Sequence, residues 1–181
     1  EFLRTEVLAP ATTMLNAGNV TEEEYDAHVA KYLEFQQMER TGLAQTLDEG
    51  YYYYLHNVWF DKYATSSGSS VKFAEKGNGD RYLWRVVKQP QGTVYLINKA
   101  TNTAAYVSSS VAEQGISLGK EYDWALEERT NDGKTGICII ESTGAYSWYI
   151  NPDVWQNVIL KPITWGASTW EFQKSNVKTF I

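Results

Sequence analysis

The chain has 181 residues, with 16 Lys+Arg against 22 Asp+Glu and a formal net charge of −6. An apolar content of 43%, rich in aromatics (7 Trp, 13 Tyr, 6 Phe), supplies a packed core and excludes disorder for most of the length. The longest apolar runs, residues 51–55 and 137–140, fall far short of the ~20 residues a membrane-spanning helix needs, so no membrane span is expected.

Cys138 is the single cysteine and excludes an internal disulfide. The first residue is Glu1, and the chain reads as a processed or excised piece whose targeting signal is missing.

Residues 1–50 carry three basic and ten acidic residues, whereas residues 51–181 carry 13 and 12. All seven tryptophans fall in the second part, as do the Gly, Ser and Asn clusters that punctuate short strands. A boundary near Asp48 to Gly50 results, giving residues 1–49 as a helical hairpin, a connector to an upstream domain, and 50–181 as a second domain. In the hairpin, Thr21 and Glu24 form a capping box ahead of a helix over residues 22–40. Its apolar stripe runs through Tyr25, Val29, Tyr32 and Leu33 and is expected to lean on the second domain. Leu3, Val7, Leu8, Ala11 and Leu15 suit an earlier helix, started or kinked at Pro10 and closed by Gly18.

A period of forty-odd residues governs the chain after residue 50. Tyr53-Tyr54-Leu55-His56-Asn57 returns as Val94-Tyr95-Leu96-Ile97-Asn98 and as Ile137-Cys138-Ile139-Ile140-Glu141. A second piece is centred on Tyr63, Tyr106 and Tyr149. The third comprises Val71-Lys72-Phe73, Ile116-Ser117-Leu118 and Val158-Ile159-Leu160, and the fourth opens on Trp84, Trp124 and Trp170. Each piece has strand length and period-2 alternation, and turn formers separate them. Twelve short strands in three repeats of four predict a mainly β fold, a barrel capped by hairpins, in which the repeated tryptophans and tyrosines fill the barrel axis.

Over residues 51–174 these landmarks resemble the β-trefoils, and within them the ricin-type lectin-like domains, whose repeats end on a Gln-x-Trp motif. Trp84, Trp124 and Trp170 match it, with Tyr82, Tyr122 and Ser168 in place of the glutamine. The resemblance implies a carbohydrate-binding module. The ricin-type sugar pocket needs a carboxylate after the second strand and an aromatic after the third. At those positions stand Thr65, Ser108 and Asn151, then Ala74, Gly119 and Lys161, so the usual pocket is absent from all three repeats.

The third repeat departs from the other two by adding Trp155 and Trp165 in loops beside Asn151, Asp153 and Gln156. These five are the candidate ligand-binding residues: a tryptophan to stack on a sugar ring, and polar groups to orient its hydroxyls. The alternative is that Trp155 and Trp165 cover the base of the barrel or dock against the helices. Trp59 and Phe60, in the first turn of repeat one, raise the same two options.

Signals for catalysis are poor. His28 and His56 lack partners at metal-ligand or triad spacing, Cys138 lies in an apolar strand, and adjacent Glu127 and Glu128 point to opposite faces. No enzyme, cofactor or metal is expected, and without a basic stripe nucleic acid is not an expected partner. The leading expectation is a non-catalytic carbohydrate-binding module of a larger extracellular, cell-surface or periplasmic protein, taking a glycan or glycoconjugate. The alternative is a structural or protein–protein interaction trefoil.

Overall fold

The computed structural model describes residues 3–39 and 43–180. The chain divides into two compact units, Glu1–Gly42 and Leu43–Ile181.

In the first unit a wide helical turn, Leu3–Leu8, runs into α1 (Ala9–Ala17), with Pro10 in its first turn and Gly18 closing it at φ 64°. That left-handed conformation is open to glycine without strain. The capping box forms: Thr21 Oγ1 accepts the Glu24 amide at 3.2 Å, and Glu24 Oε2 accepts the Thr21 amide at 3.3 Å. It opens α2 (Glu22–Glu39), which folds back along Leu3–Leu8. Val7 is buried, Val29 is half-buried, and Tyr25, Tyr32 and Leu33 are exposed.

The second unit is a β-trefoil. Among the described residues it has twelve strands: β1 (Tyr51–Asn57), β2 (Lys62–Ser67), β3 (Ser70–Ala74), β4 (Trp84–Lys88), β5 (Val94–Asn98), β6 (Thr103–Tyr106), β7 (Ser117–Leu118), β8 (Ala125–Asn131), β9 (Lys134–Ile140), β10 (Tyr146–Tyr149), β11 (Ile159–Pro162) and β12 (Trp170–Lys178). The lobes are β1–β4, β5–β8 and β9–β12. Six strands close a barrel in which β1 pairs β12 and β4, β4 pairs β5, and β9 pairs β8 and β12. The Val94–Trp124 bridge joins β5 to the start of β8 and completes the ring. A full ring leaves no barrel edge unpaired. The hairpins β2–β3, β6–β7 and β10–β11 form the cap.

The cap closes on a cyclic set of backbone hydrogen bonds. The Val71 amide donates to the Ile116 carbonyl (3.0 Å), Ile116 to Val158 (3.0 Å), and Val158 back to Val71 (2.9 Å). These residues match the third repeated piece in register.

The first-strand landmarks Leu55, Leu96 and Ile139 and the tryptophans Trp84, Trp124 and Trp170 are all fully buried. Each of these indoles donates Nε1–H to a second-strand carbonyl: Trp84 to Ala64 (3.1 Å), Trp124 to Ala105 (2.9 Å) and Trp170 to Trp148 (2.9 Å). Ala64, Ala105 and Trp148 are therefore equivalent. This corrects the second-strand register, because Thr65, not Tyr63, matches Tyr106 and Tyr149.

The axis is filled by a fourth tryptophan instead of by tyrosines. Trp148 stands edge-on to Trp84, Trp124 and Trp170, with centroids 5.9, 5.5 and 6.1 Å away. One large ring replaces the alanines of lobes one and two at the centre, and the edge-to-face contacts match indole quadrupoles. Tyr63 instead lies against His56 and Tyr54, and its hydroxyl donates to Gln173. Tyr149 belongs to a separate small cluster with Ile159 and Ala167.

A helical turn, Leu43–Thr46, precedes β1, and Ala44 within it and Leu47 just after it are buried in the trefoil core.

Candidate functional site

Each lobe leaves its first strand through a turn held by one buried side chain. Asn57 Oδ1 accepts the amides of Trp59 and Phe60 (3.1 and 3.0 Å), and Asn98 Oδ1 those of Ala100 and Thr101 (3.0 and 3.4 Å). In lobe three the residue is Glu141. Its oxygens accept the Thr143 amide at 2.8 Å and the Ala145 and Tyr146 amides at 3.1 and 3.2 Å. Burial works against its charge, but hydrogen bonds from Thr143, Ser110 and Tyr146 outweigh it and hold the carboxyl below the usual glutamate range.

The asparagine amides fasten these turns across lobe boundaries. Asn57 Nδ2 donates to the Ala167 carbonyl (2.9 Å), in the helical turn Gly166–Ser168 ahead of β12. Asn98 Nδ2 donates to the Arg81 carbonyl (2.9 Å), in the matching turn Asp80–Tyr82 ahead of β4. The two seams can therefore be compared position by position. Where one has Trp59 and Trp165, the other has Ala100 and Gly79. Trp59 and Trp165 are 42% and 43% exposed, large for indoles that could have been buried.

Between them lies a cleft of about 420 Å³, walled by Trp59, Phe60, Tyr149 and Trp165, with Asp132 and Thr164 as its polar side chains. Its floor is Gly166 and Ala167. Asp132 comes from the β8–β9 turn at φ 49°, and its Oδ2 accepts the Gly166 amide at 2.9 Å. The Trp165 ring meets Tyr149 edge-on (5.5 Å) and carries Lys161 Nζ 5.0 Å from its centroid. That ammonium is paired with Glu113 at 2.8 Å.

A smaller cleft of about 280 Å³ lies between the β4–β5 turn and the approach to β8. Its lining is Gln89, Gln91, Thr93, Tyr95, Asp123 and Pro90, with Thr93 Oγ1 and Asp123 Oδ1 3.0 Å apart. It has no tryptophan.

Of the five candidates read from sequence, Trp165 lines the larger cleft. Trp155 is half-buried beside it, packed on the cluster of Tyr149, Ile159 and Ala167. Asn151 shapes the loop: its Oδ1 accepts the Asp153 amide (3.1 Å), and its carbonyl accepts those of Val154 and Trp155 (3.0 and 2.8 Å). Asp153 and Gln156 are exposed on that loop and, with Asn151, stand outside the lining of the cleft. Asp132 and Gly166 carry no such signal in the sequence. In the corrected register the equivalent positions are Ser67, at the end of β2, and Ser108 and Asn151, just past β6 and β10, again without a carboxylate.

No family model matches the sequence, and no curated protein does. Solved structures do match the fold. A Macrolepiota procera ricin B-like lectin in complex with lactose superposes with a TM-score of 0.61 at 14% identity, covering 71% of this chain and 99% of that one. For the Rhizoctonia solani agglutinin the values are 0.59, 17%, 71% and 98%. A GlcNAcα1-4Gal-releasing endo-β-galactosidase from Clostridium perfringens gives 0.56 at 16% identity over 70% of this chain, which spans only 33% of that enzyme. At these identities the likeness is one of fold: a β-trefoil of lectin-like form.

Proposed function

We propose that the trefoil unit is a non-catalytic carbohydrate-binding module of a larger secreted or surface protein, and that its glycan site is the cleft between Trp59 and Trp165. The observation that carries this reading is the pairing of two exposed tryptophans at one lobe seam, where the equivalent seam has alanine and glycine. Indole faces pack on the C–H side of a pyranose ring, and a carboxylate such as Asp132 accepts from its hydroxyls.

The groups best suited to catalysis are occupied elsewhere. His56 is held between Asp61 (2.6 Å) and Glu171 (3.2 Å), and burial pushes the Cys138 thiol up to about 11. Lectin-like neighbours support the reading.

Titration with mono- and oligosaccharides, monitored by tryptophan fluorescence, tests it. A single shallow site should bind with a dissociation constant of about 0.1–1 mM. Trp59→Ala and Trp165→Ala should each weaken binding about tenfold or more. Unchanged binding in both variants would reject this cleft, and no response to any sugar would favour the protein-interaction alternative.

A further inference from the structure

Resting on the carbohydrate reading of this cleft, we infer that its preferred glycans carry an alkylammonium group, such as an unacetylated hexosamine or a choline substituent. A neutral pyranose presents several hydroxyls that want directional partners, yet among the described residues Asp132 and Thr164 are the only non-aromatic polar side chains in the lining. Four aromatic side chains around one carboxylate, with no basic side chain among the described residues of the lining, suit a cation instead. Ring faces attract ammonium electrostatically, and most strongly where water is partly excluded.

The carboxylate is fixed in place. Asp132 Oδ2 is bound to the Gly166 amide at 2.9 Å, which leaves Oδ1 for a ligand. Because Gly166 has no Cβ, the Trp59 ring and Asp132 Oδ2 converge on it: a Cβ there would stand 2.8 Å from the ring and 3.0 Å from the oxygen. Trp165 already draws a cation, Lys161, to within 5.0 Å of its ring centroid. Glu113 neutralises that lysine, so it adds little repulsion toward a second ammonium.

The test is a fluorescence titration of the full chain with glucosamine, N-acetylglucosamine, glucose, glucuronate and choline, at about pH 6, where an amine of α-amino type is protonated. Glucosamine should bind about tenfold tighter than N-acetylglucosamine or glucose, glucuronate weakest, and choline should bind without any sugar ring. Asp132→Asn keeps an acceptor for the Gly166 amide and a side chain that tolerates positive φ, so the cleft keeps its shape while losing its charge. It should abolish the preference for glucosamine and leave the circular dichroism spectrum unchanged.

Equal binding of glucosamine and glucose overturns the ammonium inference and leaves the carbohydrate reading standing, whereas a preference that survives Asp132→Asn overturns this cleft's carboxylate as the group that reads the ammonium. A response to choline with none to any sugar overturns the carbohydrate reading and upholds the cation site. No response to any of the five overturns both.

Discussion

The indole of Trp59 lies so close on Gly166 that a Cβ at the glycine would stand 2.8 Å from ring atoms Cε3 and Cζ3. Gly166 is needed for space, since its backbone is not among the positive-φ residues. Gly166→Ala should lift the ring and part it from Asp132, at a cost of about 1–3 kcal/mol by analogy with overpacked sites. Urea unfolding measures the cost, and the variant should also lose the fluorescence response to ligand. An unchanged response would show that Trp59 does not face the ligand.

Trp148 shows how the core departs from strict symmetry. Truncation to Ala should destabilise by about 3–5 kcal/mol, the usual range for a buried large aromatic. The gentler change is more informative. Trp148 Nε1 has no hydrogen-bond partner among the described residues, whereas Trp84 Nε1 donates to Ala64. Trp148→Phe should therefore cost about 1 kcal/mol less than Trp84→Phe, which strands a buried carbonyl. Paired chemical denaturation curves compare the two.

Glu141 makes stability depend on acid. Its carboxyl lies below the ordinary range in the folded protein. Its contribution is therefore complete above the unfolded glutamate value of about 4.3 and is lost as pH falls through the folded value. Glu141→Gln should lower the stability measured by urea unfolding at neutral pH by about 1–3 kcal/mol, as for hydrogen bonds to a buried charge. The gap between variant and parent should narrow as pH falls below about 4. A gap that stays constant with pH would show that the charge is not what the turn needs.

The segment before β1 belongs to the trefoil's stability. Ala44 and Leu47 are buried in its core, Lys174 reaches Asp48 at 2.9 Å, and Glu49 accepts the Lys88 amide at 2.6 Å. A fragment of residues 50–181 should melt about 5–10 °C below one of residues 43–181, in keeping with the loss of about 2 kcal/mol. Differential scanning calorimetry of the two fragments decides this.

The scaffold is readable in the sequence because its signals are local. Strand-length pieces at a fixed period, the Trp84, Trp124 and Trp170 positions, the third-strand triplet and the Thr21–Glu24 cap each depend on a few neighbouring residues. The tyrosine match fails because Tyr63, Tyr106 and Tyr149 keep an even spacing although their strands are offset by two residues, a shift that only the indole-to-carbonyl bonds expose. The cleft is half visible. Trp165 stands out as an addition to lobe three and Trp59 to lobe one, but their meeting depends on barrel closure, which brings the first turn beside the last. Asp132 looks like an ordinary turn residue. The repeated Asn57 and Asn98 carry the missing signal, since each marks where one lobe is tied to its neighbour.

The cyclic set of bonds among Val71, Ile116 and Val158 has a bearing on how the chain reaches its native state. Each of the three donates one hydrogen bond and accepts one, so two lobes without the third leave an open donor at one end and an open acceptor at the other, in a place that only the third lobe closes to water. The last member enters only when residue 158 is available. A chain emerging from its N-terminus must therefore hold two unfinished lobes until the third arrives. Contacts so distant in sequence make for slow folding and for a period in which apolar strands stand open to other chains.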